Sequence, residues 1–263
     1  MLKLSKENRY LIFLIIGGIC FVMAGTIFLP IGFLPYRIGT GNDIKSFLSD
    51  FTNFSLGEVG IMPFKTLNYL KYSYNLLQFI SYLPLLVIIA WFFVGEYADD
   101  IMDFKQNIRR NIIIIIIGIV SMYILNYNVN NIYAVIGVEG QSNNEGIINS
   151  LLLGPGKWFM IISVVFIAPI TEEFVFRKLI FGTIEKKFKW HFVVSIIVSC
   201  LIFSFIHVSD LASLKFIFQY IALALPICLC YHFSGNNIVT STLIHMFNNG
   251  VSVLATYLLM NLE

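Results

Sequence analysis

Residues 111–126, NIIIIIIGIVSMYILN, form an uncharged apolar run of the kind that crosses a lipid bilayer as a helix. In lipid the backbone polar groups must be satisfied internally, so only helices or closed barrels can cross. Strand-like alternation is absent from the chain, and the sequence therefore predicts an all-α polytopic membrane bundle. Similar apolar runs lie on both sides of this stretch. We expect about seven spans in total, with eight as the upper count, near residues 10–34, 73–95, 111–126, 158–184, 190–208, 213–231 and 237–260.

The overall composition agrees with this prediction and limits the partners. Of 263 residues, 58% are hydrophobic and only 12% are charged, which is far too apolar for a soluble domain. The net charge of +2 comes from short clusters, and no basic stripe for a polyanion is present. We expect a single membrane-embedded domain over residues 1–263 that contacts lipid and a peptide or protein, with no nucleic-acid partner.

The distribution of positive charge predicts the orientation. The first apolar run is too long for a signal peptide, and it follows Lys3, Lys6 and Arg9, which favour a cytoplasmic N-terminus. Between the first two runs lies a mixed segment, residues 42–72, which we expect at the membrane interface. Residues 126–149 are rich in Asn and Gly, and they are expected to form an exposed loop.

A charged cluster interrupts one apolar run, in APITEEFVFRKLI at residues 168–180. Helical geometry places Glu173 and Arg177 on one face, where they can pair, while Glu172 points about 100° away. Pro169 removes a backbone donor and is expected to kink or open the helix just upstream. A structural ion pair at a helix end, with Lys178 extended toward water, is the alternative interpretation.

Three further polar residues lie in apolar surroundings. His207 ends an uncharged run, and His245 and Asn249 lie four residues apart within 47 residues that carry no formal charge. An interfacial histidine and interhelical hydrogen bonds are the alternatives for these positions. Together with Glu172 they supply a carboxylate, two imidazoles and a carboxamide, the groups needed to activate water and hold an oxyanion. Distances along the helices place Glu172, His207 and His245 at depths that differ by about 10 Å.

These motifs resemble those of the CPBP family of intramembrane proteases, also called the Abi or CAAX-protease family. The E-E-x-x-x-R motif runs from Glu172 to Arg177, the F-x-x-x-H motif from Phe203 to His207, and the H-x-x-x-N motif from His245 to Asn249. The resemblance covers residues 158–257, the expected catalytic core. The chain departs from the family at Lys178, where many members carry Gly.

The resemblance implies a role for each matched residue. Glu172 and His207 would activate the attacking water, and His245 and Asn249 would line the oxyanion site. Glu173 and Arg177 would support them. The cofactor stays open, since His207, His245 and Glu172 could together ligate Zn²⁺ if a metal is bound.

The resemblance also implies an activity and a location. We expect an endopeptidase of the bacterial cell membrane that hydrolyses a bond in a membrane-associated peptide, such as a lipidated, leader, pheromone or bacteriocin-type peptide. One alternative is a non-catalytic membrane scaffold or bacteriocin self-immunity protein that retains the fold. Another is a proton-coupled transporter, in which the acid and the histidines would form a relay.

Overall fold

The chain folds into a bundle of membrane helices. The computed structural model describes residues 5–58, 62–208 and 210–260, and within these ranges every regular element is helical. Five described segments are long and apolar enough to cross a membrane: Phe64–Gln106, Ile108–Val135, Lys157–Lys187, Ala212–Phe233 and Ile238–Leu259. The predicted all-α membrane bundle is confirmed, and the protein is an integral membrane protein.

Two of the predicted spans coincide with shorter apolar helical stretches, Asn8–Cys20 and Phe192–Ile206. Phe192–Ile206 falls below the roughly 20 residues that a perpendicular crossing requires, whereas Asn8–Cys20 is part of a longer helix, Lys6–Ile27. The predicted number of about seven spans therefore stays a prediction.

The first part of the described chain contains six α-helices. They are α1 (Lys6–Ile27), α2 (Leu29–Thr40), α3 (Ile44–Ser55), α4 (Phe64–Ser81), α5 (Leu83–Ile88) and α6 (Val94–Gln106), with a π-helical turn at Ile89–Phe93. Helix α3 lies in the segment expected at the interface, and it buries only one side, including Phe47 and Phe54. Asp43 caps it, because its carboxylate accepts the backbone N–H of Ser46 at 2.9 Å.

The loop expected at residues 126–149 is largely helical, so that prediction is wrong. Helix α7 (Ile108–Val135) continues through the Asn-rich stretch, and α8 (Asn143–Leu152) begins soon after it. Local side-chain bonds explain the difference. Asn128 Nδ2 donates to the carbonyl of Ile124 at 2.7 Å, and the Ser142 hydroxyl accepts the backbone N–H of Glu145 at 3.2 Å as the α8 cap.

The second part of the described chain carries the polar motifs. A continuous helical segment, Lys157–Lys187, is here named the motif helix. It consists of α9 (Lys157–Ile162), α10 (Ala168–Glu173) and π-helical turns at Ser163–Ile167, Phe174–Phe181 and Thr183–Lys187. It is followed by α11 (Phe192–Ile206), a 3₁₀ turn (Ala212–Phe216), α12 (Ile217–Phe233) and α13 (Ile238–Met260).

The motif helix opens where Pro169 predicts a disturbance. Instead of a break, the turn before the proline widens, and the backbone N–H of Ala168 bonds to the carbonyl of Ser163, five residues earlier. A π turn accommodates the missing donor without interrupting the helix. Both glutamates follow directly in α10 and are buried.

Aromatic contacts hold the motif helix in the core of the bundle. Phe174 meets Phe93 edge-on, with ring centroids 4.8 Å apart, and Phe176 meets Phe203 of α11 at 5.2 Å. All residues of the stretch 171–184 are buried. The motif glutamates therefore face other helices rather than lipid.

Candidate active site

Three side chains converge at one point: Glu172 in α10, His245 in α13, and the half-buried His207 directly after α11. Glu172 Oε2 lies 3.9 Å from Nε2 of His207 and 3.8 Å from Nε2 of His245. Glu172 is 7% exposed and His245 only 2%. The expected difference in depth does not keep these groups apart.

A buried ion pair orients His245. Its Nδ1 lies 3.0 Å from Glu173 Oε1, and because an ionised carboxylate can only accept, Nδ1 is the donor. The other oxygen, Glu173 Oε2, lies 3.1 Å from Nε of Arg177, and both side chains are fully buried. These two atoms are close but not aligned as a hydrogen bond, so the contact is an ion pair. The predicted pairing of Glu173 with Arg177 is confirmed.

His207 is held between two aromatic rings. Its Nδ1 donates to the carbonyl of Phe203 at 2.8 Å, so its Nε2 faces Glu172. The Phe203 ring stacks on it at 4.4 Å, and the ring of Tyr220 from α12 lies 5.2 Å away. The Tyr220 hydroxyl is in turn 2.6 Å from the Ser142 hydroxyl. Tyr220 was not predicted, because nothing in the sequence distinguishes it from other aromatic residues of a span.

Asn249 lies one turn after His245 on α13, but its hydrogen bonds go elsewhere. Its Nδ2 donates to the carbonyl of Val164 at 2.9 Å, and its Oδ1 accepts from Asn248 at 3.2 Å. Val164 lies in the widened turn before Pro169, so Asn249 ties α13 to the opened part of the motif helix. A carboxamide has two N–H donors, so one remains for a ligand.

Two residues from the first part of the chain, Tyr82 and Asp100, also interact with residues of the motif helix. Tyr82, between α4 and α5, interacts electrostatically with Glu172. Lys178 does not simply extend toward water, as the alternative interpretation supposed, because it is 6% exposed and its Nζ lies 2.5 Å from Asp100 Oδ2. Sequence reasoning missed both partners, since they lie in a stretch without a recognisable motif.

The predicted metal ligands can be tested against the geometry. Zinc bonds of about 2.0–2.1 Å place two tetrahedral ligand atoms about 3.3 Å apart. The distances from Glu172 Oε2 to the two Nε2 atoms are longer, 3.8 and 3.9 Å. In the three described ranges, no group of three His, Cys, Asp or Glu side chains is arranged to hold a metal ion. The metal role of His207, His245 and Glu172 therefore stays a prediction.

Comparison with known proteins defines the class to which this site belongs. Residues 154–251 match the family model described as type II CAAX prenyl endopeptidase Rce1-like. The chain is also 30% identical to an uncharacterized protein of Mycoplasma capricolum subsp. capricolum, over 96% of this chain and 78% of that protein. No solved structure matches the chain. Residues 154–251 therefore belong to the Rce1-like family, in agreement with the CPBP resemblance of the motifs that they contain.

Proposed function

We propose that this protein is an intramembrane endopeptidase in which Glu172 activates water for attack on a peptide bond. The observation that carries the proposal is the convergence of one carboxylate and two imidazole Nε2 atoms within 3.9 Å in a buried site. Membership of the Rce1-like family supports the same reaction class. The substrate we propose is a membrane-associated peptide, such as a prenylated or leader-type peptide.

Hydrogen bonding decides what each histidine can do. Both Nδ1 atoms donate, His207 to a carbonyl and His245 to Glu173, which leaves both Nε2 atoms directed at Glu172. The gaps of 3.8 and 3.9 Å are too long for direct hydrogen bonds. A water bound between Glu172 and His207 would bridge such a gap and be polarised by both groups.

The reaction then requires one proton acceptor and one oxyanion site. Glu172 takes a proton from the water, and the water oxygen bonds to the peptide carbonyl carbon, whose π electrons move to oxygen. Asn249, through its remaining N–H, and His245, when protonated at Nε2, would stabilise this oxyanion. When the intermediate collapses, the C–N bond breaks, and the nitrogen takes the proton from Glu172 to leave as an amine.

Glu173 and Arg177 are proposed as supporting residues. Glu173 accepts a hydrogen bond from Nδ1 of His245, and Arg177 balances the charge of Glu173 at a position where both side chains are fully buried. Nη2 of Arg177 also donates a hydrogen bond to the carbonyl of Ala224 in α12 at 3.3 Å. The pair therefore orients a proposed catalytic histidine and links the motif helix to α12.

The test is turnover of a farnesylated fluorogenic peptide ending in a C-a-a-X sequence, with the protein reconstituted in lipid vesicles. The variant Glu172→Gln keeps the size of the side chain but removes the base, and kcat is expected to fall about 10²–10⁴-fold. Glu139→Gln, at an exposed position, is the matched control and should retain activity. The unprenylated peptide reports whether the lipid is recognised.

Equal turnover by Glu172→Gln and wild type would contradict the proposal. Absence of turnover by the wild type as well would favour the non-catalytic scaffold, in which the site residues serve only to maintain the fold. Cleavage of the peptide with and without the farnesyl group would retain the peptidase but remove the prenylated substrate class.

A further inference from the structure

The ion pair between Lys178 and Asp100 connects the part of the chain that matches the family model with a helix outside the matched residues. Lys178 occupies the position where many proteins with these motifs carry Gly, and its Nζ lies 2.5 Å from Asp100 Oδ2. Both side chains are largely withdrawn from solvent, at 7% and 17% exposure. Asp100 lies in α6, outside the matched residues 154–251.

Asp100 also binds the N-terminus of α13. The same oxygen, Oδ2, accepts the backbone N–H of Ile238 at 3.2 Å, and the Asp100 carbonyl accepts Nδ2 of Asn237 at 2.7 Å. The first N–H groups of a helix have no partner within the helix and carry partial positive charge. A single carboxylate oxygen therefore contacts a cation on the motif helix and the first turn of α13.

We propose that Asp100 is a positioning residue that sets the register between the two helices carrying the site, an inference that rests on the proposed function. Lys178 follows Glu173 by five residues in the motif helix. His245 follows Ile238 by seven residues, roughly 10 Å along α13. Shared attachment at Asp100 therefore constrains the contact between Glu173 and His245, which is 3.0 Å long.

Other contacts made by α6 and by the residue before it support this role. Tyr97 and Asp100 are three residues apart in α6 and share a helical face, and Phe93 directly precedes this helix. Phe93 packs edge-on against Phe174 of the motif helix, and the Tyr97 hydroxyl lies 3.5 Å from the carbonyl of Ile170. This part of the chain therefore packs against the motif helix both before and after the two glutamates, and Asp100 makes the charged contact.

The first test compares two substitutions that differ only in the contact removed. Asp100→Asn keeps the shape of the side chain but removes the charge that holds Lys178, whereas Asp99→Asn makes the same change at an exposed neighbour. Because catalysis is sensitive to misplacements of about 1 Å, kcat is expected to fall about tenfold or more for Asp100→Asn, with KM within about twofold. Asp99→Asn should match the wild type.

Conservative and complementary variants separate positioning from folding. Asp100→Glu restores the charge, and kcat should return to within about threefold of wild type. Lys178→Met removes the cation but leaves Ile238 bound, so its loss should be smaller than that of Asp100→Asn; Lys105→Met, at an exposed position, is its control. If Asp100→Asn fails to fold, the Lys178→Met comparison decides the proposal by itself, and unchanged kcat would overturn it.

A second readout does not depend on activity. Spin-labelled amino acids at exposed Phe166 and Leu243 report the distance between the motif helix and α13. The distance distribution should broaden in Asp100→Asn and not in Asp99→Asn. Identical distributions in the two variants would overturn the positioning role. If the wild type cleaves no peptide, the proposed function fails, while the distance measurement still decides whether Asp100 sets the helix register.

Discussion

Removing one partner of the buried ion pair is expected to destabilise the protein more than removing the proposed base. In Glu173→Ala, the guanidinium of Arg177 stays fully buried without its carboxylate, and His245 loses its Nδ1 acceptor. Breaking such a pair typically costs about 3–5 kcal/mol. At 1.4 kcal/mol for each factor of ten, the ratio of folded to unfolded protein should fall by about 10² to 4 × 10³.

The structure predicts an order for the three single substitutions. Arg177→Ala leaves Glu173 with His245 as its remaining partner, so its cost should be equal to or smaller than that of Glu173→Ala. The ion-pair contacts of Glu172 with the two histidines are long, 3.8 and 3.9 Å, and a carboxylate inside a membrane costs about 2.5–3.5 kcal/mol on insertion scales. Losing it offsets the lost packing, and Glu172→Ala should change the free energy of unfolding by only about 1 kcal/mol.

The assay is unfolding in mixed micelles containing increasing SDS, followed by near-UV circular dichroism at equal protein concentration. The double variant Glu173→Ala/Arg177→Ala completes a mutant cycle. Because it removes both charges, it should be more stable than the sum of the single effects predicts, by about 1–3 kcal/mol. Equal free energies for the three single variants, or strict additivity in the cycle, would refute the buried pairing.

Two further predictions concern the Tyr220 ring beside His207 and the Asp43 cap of α3. Tyr220→Phe keeps the ring against His207 but removes the hydroxyl bonded to Ser142, so kcat should fall about threefold to tenfold with unchanged folding, whereas equal kcat would show that the bond has no positioning effect. Hydrogen bonds from the backbone N–H and then the hydroxyl of Ser46 lower the pKa of Asp43, so the cap is fully present above the ordinary carboxyl range and lost as pH falls through the depressed pKa. Carboxyl chemical shifts measured by NMR should show Asp43 titrating below its pKa in the denatured chain, and an ordinary value in the folded protein would contradict the cap.

Short-range features of the site follow from sequence spacing alone. The separation of four residues between Glu173 and Arg177 predicts their contact, because residues four apart share a helical face. The same rule places Asn249 beside His245 on α13, although the bond from Asn249 to Val164 could not be foreseen. The Asn-rich segment at 126–149 was misinterpreted for a local reason, since a hydrogen bond from an Asn side chain to the preceding turn allows the helix to continue.

Hydropathy and residue spacing are enough to identify a helical membrane protein and to single out the polar residues proposed to act in its site. These two conclusions need no tertiary structure, because helices that cross a bilayer are long and apolar, and polar groups within them cost free energy unless they are paired or face a wet cavity. The folded arrangement is needed to show that Glu172, His207 and His245 meet, that the Tyr220 ring lies against His207, and that Asp100 reaches Lys178 and α13. These contacts depend on the rotation and relative depth of whole helices, which are set by packing against neighbours and leave no local pattern in the chain.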